Sequence, residues 1–135
     1  MALNVAFILG CAWLAWCLFN VGLLFVAPYL IGGANVVTNG FSTVFPQQVR
    51  DILTLEQQAA IQAHEDGHKA HRHALKNLLR SFLLLRRPPS VAMRQELEAD
   101  CYAADLGHAQ HLASALRVLS ADPFDRYRAG LLDRM

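Results

Sequence analysis

No charged side chain occurs before Arg50, and all 12 Lys/Arg and all 11 Asp/Glu fall in the remaining stretch. A chain divided in this way cannot fold as one uniformly soluble globule, because its two parts call for different solvents. At 54% hydrophobic and 17% charged, it is too apolar to be disordered and unusual for a freely soluble protein. The net charge of +1 excludes the basic excess that a nucleic-acid binder concentrates on one face.

Within the uncharged leader, Val5 to Ile31 is broken by only one strongly polar residue, Asn20. A helix needs about 20 apolar residues to cross a bilayer core, so the segment is long enough to span once. Trp13, Trp16 and Tyr29 are amphipathic aromatics, and Tyr29 is expected near an interface. Pro28 and the Gly32-Gly33 pair are expected to end the helix. A cleaved signal peptide would need a basic opening and a short apolar core, and this leader has neither. The expectation is therefore a retained single-pass anchor over residues 1–33, followed by one domain over 34–135. The positive charges all lie from Arg50 onward, which places that domain on the cytoplasmic side. Cys11, Cys17 and Cys101 form no CxxC pattern, and two of them sit in the leader, so they read as small buried hydrophobes.

The remainder reads as mainly α with a small β-hairpin or strand. Thr38-Asn39-Gly40 stands between Val36-Val37 and the run Phe41 to Phe45, a hairpin-turn signal within residues 33–46. Thr54 with Gln57 makes a capping-box pattern. Helical periodicity then runs from Leu55 through Ile61, Leu75, Leu78 and Leu79 to Phe82, and must stop before Pro88-Pro89. Ser90 is expected to cap the next helix, whose apolar face would read Leu97, Tyr102, Leu106, Leu112, Leu116 and Leu119. Asp122-Pro123 ends it, and Phe124 to Leu132 forms a short last helix. The run Leu78 to Leu85 before Arg86-Arg87 is too short to span a bilayer; it reads as the end of a core helix, or as a dip into the membrane surface. A domain this small has a marginal core, which a bound metal or packing on the membrane would support.

His64-Glu65-Asp66-Gly67-His68 is an HExxH pattern inside the first charged helix. Residues four apart share a helix face, so both imidazoles can address one ion, while Glu65 beside them can reach a water on it. Catalytic zinc takes a third protein ligand. Glu96 and Asp100, four apart, offer one carboxylate to ligate and one to hydrogen-bond a ligating imidazole, and Glu98 points elsewhere. His71, one turn past His68, is a rival third ligand, and His73 falls on the opposite face as a structural residue. An additional donor to the oxyanion could come from Tyr102, His108, His111, Tyr127 or Arg128.

The stretch from Leu53 to His73 (LTLEQQAAIQAHEDGHKAHRH) resembles the active-site helix of the HtpX and CAAX prenyl endopeptidase family of membrane zinc metallopeptidases. The similarity includes a Leu-Thr opening, an HExGH motif and another His five residues after the second ligand. ELEADCYAADLG resembles the family's downstream helix through Glu96, Ala99, Asp100 and Ala103, and Asp122-Pro123 with Arg128 resembles its C-terminal segment. The resemblance covers roughly residues 41 to 131. It implies a zincin-like core with His64, His68 and Glu96 as zinc ligands and Glu65 as general base. It further implies that Asp100 orients His64 and that the strand Phe41 to Phe45 lies beside the cleft. Three features depart from the family: Asp66 stands for an aliphatic residue, Asp122 for a His, and most of the family's extra membrane helices are absent.

The function implied is a membrane-anchored zinc endopeptidase that hydrolyses peptide bonds by a metal-activated water. Its cofactor would be Zn²⁺ and its substrates peptides or proteins, membrane proteins among them; no nucleic acid is expected. Two rivals are a catalytically inactive relative that keeps the metal, against which Glu65 speaks, and a non-enzymatic small membrane protein that regulates a partner.

Overall fold

The computed structural model describes residues 2–31 and 36–135. Its first element is α1 (Ala2–Ile31), followed by a two-stranded antiparallel sheet of β1 (Val37–Thr38) and β2 (Thr43–Val44). Six further helices follow: α2 (Gln47–Ile52), α3 (Leu55–Ala70), α4 (His73–Phe82), α5 (Pro89–Asp105), α6 (Ala109–Leu119) and α7 (Pro123–Leu132). The chain is mainly helical, with one small hairpin, as its patterning implies.

The 24 residues Asn4–Ala27 of α1 are long and apolar enough to cross a membrane, and almost none of them is buried by the rest of the protein. At 1.5 Å per residue they extend about 36 Å. The helix runs past Pro28 to Ile31, since a proline in the last turn removes only one ladder bond; Gly32-Gly33 lie outside the described residues. The expectation that only Tyr29 has an interfacial task misses what the two tryptophans do. Trp13 Nε1 donates to the Phe82 carbonyl at 2.7 Å and Trp16 Nε1 to the Ser81 carbonyl at 2.9 Å. Ser81 Oγ in turn donates to Asn20 Oδ1 at 2.6 Å. Carbonyls in the last turn of a helix lack partners within it, so α1 closes the end of α4.

In the hairpin, Val37 pairs with Val44 and Thr38 with Thr43. Asn39 is buried, and its Oδ1 accepts from the Phe41 and Ser42 amides at 2.9 and 2.8 Å, while Gly40 takes φ +90°. The Asn-Gly signal thus acts through a side-chain turn.

Two expected long helices are each broken. The periodicity from Leu55 to Phe82 divides at His71-Arg72, where Arg72 adopts φ 54°. The one expected from Ser90 to Leu119 divides at Gly107, whose φ of +86° ends α5. Ser90 is not the cap: Pro88 holds that place without a side-chain bond, and Pro89 starts α5 with its φ already set. The breaks also redistribute the expected apolar face. Leu112 is fully buried, but Leu106 and Leu119 are exposed, and α5 buries Gln95, Ala99, Asp100 and Ala103 instead. Leu79, Leu83, Leu84 and Leu85 are exposed as well, so this run is not the end of a core helix.

The core lies among α3, α5, α6 and α7, with Val49 of α2 and Leu53 at its edge, and is rich in small side chains: Ala60, Ala63, Ala103, Ala109, Ala113, Ala115 and Ala129, around Ile61, Leu112 and Leu132. Small residues let helix axes approach closely, and here they bring polar side chains of α3 within reach of those of α5.

Candidate metal centre

The capping box that starts α3 is complete. Thr54 Oγ1 accepts from the Gln57 amide at 3.3 Å, and Gln57 Oε1 accepts from the Thr54 amide at 2.9 Å. The Gln57 side-chain amide also donates to Ser114 Oγ at 2.8 Å, which fixes α3 on α6. Two turns on, His64 and His68 present their Nε2 atoms to one point, 3.1 Å apart. From α5, Glu96 Oε2 stands 3.4 Å from His64 Nε2 and 3.7 Å from His68 Nε2.

Gly67 permits this convergence. A Cβ there would lie 2.9 Å from Ala99 Cα and 3.0 Å from Tyr102 Cβ, so any larger residue would push α5 away from α3. The glycine of the HExGH pattern is therefore a packing requirement. Asp66, which departs from the family pattern, faces away from this contact and accepts from Lys69 Nζ and Gln62 Nε2 at 2.9 and 3.0 Å.

Behind the histidines stand two supports. His64 Nδ1 lies 2.9 Å from Asp100 Oδ1 but off the line of a good hydrogen bond, so the contact is close yet imperfectly aligned. Asp100 is itself gripped by Arg128, whose Nε and Nη2 donate to its two oxygens at 2.7 and 2.8 Å. Arg128 Nη1 reaches Asp125 at 2.9 Å and approaches Glu96 at 3.4 Å. The second support belongs to His68, whose Nδ1 meets His73 Nδ1 at 2.7 Å; His73 Nε2 meets Glu98 Oε2 at 2.9 Å. His73 is thus not on an opposite face: the break at Arg72 turns it back onto His68.

Electrostatics follow from burial and these contacts. Burial pulls the His64 pKa down, but Asp100 and Glu96 outweigh it and raise it to about 9. Burial raises Glu65 above the ordinary carboxylate range, against the pull of His64 and His68. For Glu96, burial is opposed and overcome by its contacts with His64 and His68, which hold it well below that range. Asp100 is likewise lowered, with Arg128 and His64 prevailing over burial.

The histidines and Glu96 open on a cleft of ≈ 320 Å³ whose wall includes Glu65. Its other side is β1 and the turn, through Val36, Val37, Thr38 and Gly40. The expected strand, Phe41 to Phe45, does not line it; Phe41 stacks on Phe25 instead. None of the expected oxyanion donors lines the cleft. Arg128 is committed to Asp100, Tyr127 is exposed, His111 is exposed on α6 and His108 precedes that helix, while Tyr102 faces His71. On the wall, Asn77 and Gln95 donate to each other at 3.1 and 3.2 Å, and Arg87 stands beside them; none is singled out by sequence. His71 is no member of the set either: among the described residues it lines a different hollow, with Cys101 and Tyr102, rather than the cleft that His64, His68 and Glu96 share.

The donor set can be tested against zinc. Tetrahedral coordination with bonds of about 2.0–2.1 Å separates neighbouring ligand atoms by about 3.3–3.4 Å. The three observed separations of 3.1, 3.4 and 3.7 Å bracket that edge. Two neutral imidazoles and one carboxylate are also a set that zinc accepts, so the residues fit the ion.

Comparison with protein-family models, curated proteins and solved structures gives no match to this chain.

Proposed function

We propose that this chain is a single-pass membrane zinc endopeptidase, a minimal relative of the HtpX and CAAX prenyl endopeptidases, with its domain on the cytoplasmic side. One observation carries the reading: His64, His68 and Glu96 meet at tetrahedral edge lengths on the wall of a cleft that also holds Glu65.

His64, His68 and Glu96 would hold the ion. When bound, zinc supplies a water acidic enough to ionise near neutral pH and polarises the substrate carbonyl. Glu65 accepts a proton from the nucleophile and hands it to the leaving amine, a task suited to a carboxyl that burial has made more basic. Asp100, clamped by Arg128, keeps His64 turned toward Glu96. A peptide laid along β1 would pass His64 and Glu65, and Arg87 would supply a hydrogen bond to one of its carbonyls.

The test measures zinc per chain for the wild type, His64→Ala and Glu96→Ala, with peptide cleavage by the wild type and Glu65→Gln. One zinc per wild-type chain, lost in both alanine variants, is expected. Glu65→Gln should keep the metal and lose turnover by about 10²–10⁴-fold. A metal-free wild type, or Glu96→Ala binding as tightly, sinks the site. A zinc-loaded wild type that cleaves nothing favours the inactive relative.

A further inference from the structure

The two histidines that share the site are held in different ways. His64 has a carboxylate against its Nδ1, that of Asp100 at 2.9 Å. His68 has another imidazole there, and the carboxylate stands one ring further out. Only one proton can lie between two Nδ1 atoms 2.7 Å apart. With neutral rings there are two ways to place it.

In the first, His68 Nδ1–H donates to His73 Nδ1. His73 then carries its own proton on Nε2 and donates it to Glu98 Oε2, 2.9 Å away. His68 Nε2 is left with a lone pair directed at His64 Nε2 and Glu96. In the second, His73 donates to His68. Its bare Nε2 would then face a carboxylate across 2.9 Å, and the proton on His68 would move to Nε2, where a metal should be. The carboxylate decides between them, because an acceptor demands a donor opposite it. Glu98 is confirmed in that part by its surroundings: its other oxygen lies 3.6 Å from Arg94 Nε, so it stays ionised.

We infer that Glu98 and His73 form a two-step positioning relay that sets the tautomer of His68 and directs its Nε2 lone pair into the metal site. The inference rests on the proposed metal site, and it assigns a task to two residues that the spacing of the ligands leaves idle. Neither residue belongs to the set that would hold the ion. Each acts through His68, and the break at Arg72 is what brings His73 to it. His73 is 3% exposed, so the ring is packed tightly enough to hold one orientation.

The experiment uses the full chain in detergent, with His73→Phe, Glu98→Leu and Glu98→Gln beside the wild type. Zinc affinity is read by competition with a chromophoric chelator, and the His68 tautomer by ¹⁵N NMR of the metal-free protein. The wild type should hold His68 with its proton on Nδ1. Glu98→Leu and His73→Phe should move that proton toward Nε2 and weaken zinc binding about 10–100-fold. Glu98→Gln, which keeps an oxygen acceptor, should restore most of both. Glu98 is partly exposed, so its variants serve even if His73→Phe fails to fold. A wild type that binds no zinc breaks the site reading, while the NMR arm still judges the relay. Variants that bind zinc like the wild type, with His68 unchanged, overturn the relay and leave the site standing.

Discussion

The leader and the domain use polarity in opposite ways. In α1 most apolar side chains face outward, while two indole N–H groups and Asn20 are turned inward onto α4. In the domain, His64, Glu65, His73, Asp100 and Arg128 are all buried, while Leu75, Leu79, Leu83, Leu84, Leu85 and Leu106 are exposed. Composition therefore tells the environment of α1 and misleads about the domain. Hydrophobicity ranks where residues prefer to be, but a charge can be buried when partners satisfy it. Here the partners come as a connected set, and small alanines make the room for it.

The contrast breaks most sharply if the buried polar set is opened. Arg128→Met leaves Asp100 buried with only its imperfectly aligned His64 contact, and should cost about 3–5 kcal/mol in denaturant unfolding. A loss below about 1 kcal/mol would mean that the buried ion pair contributes nothing special. Gly67→Ala is next: its Cβ meets the backbone of α5, so about 1–3 kcal/mol should be lost. Zinc affinity should fall further than that stability loss suggests, because Glu96 moves with α5.

A pH series sharpens the same point. The folded His64 pKa of about 9 stands above its unfolded value of 6.5. Its stabilising effect on metal-free protein is therefore complete below 6.5 and lost as pH rises through about 9. The thermal midpoint of chelator-treated protein should fall across that window, and zinc affinity should rise across it, since metal and proton compete for the ring. A midpoint flat from pH 6.5 to 9 would contradict the buried pairing. The smallest effect is expected on the leader's side of the comparison. Trp13→Phe and Trp16→Phe each remove one hydrogen bond, about 0.5–1.5 kcal/mol. They should be read by faster tryptic cutting after Arg86; unchanged cutting would mean that the indoles do not secure α4.

What could be read from sequence was local. The capping box, the Asn-Gly turn, the HExxH face and the long apolar helix each depend on residues a few positions apart. Asp122 likewise accepts from the Phe124 amide at 2.7 Å at the start of α7. What could not be read depends on residues brought together by folding: Arg128 on Asp100 is 28 positions away, and Trp13 on the Phe82 carbonyl is 69. Gly107 was a signal for the break after α5, since glycine favours a positive φ at a helix end. Arg72 carries no such sign, and on an unbroken helix His73 would project away from His68. α2, only six residues long, has too few turns to show a period.

The clasp between α1 and α4 has a mechanical consequence. One hydrogen bond would let the domain swivel about the helix, whereas the two indoles, three residues apart on successive carbonyls, and Asn20 on Ser81 Oγ act as three pins on one plate. They fix heading as well as height. Asn77 and Arg87 border both the cleft and the groove beside Trp16 and Asn20, so the cleft wall belongs to the pinned part. On the proposed function, this enzyme is a fixed station rather than a tool on a leash: it does not sweep the surface for its substrates, which must drift to it sideways and arrive on one bearing.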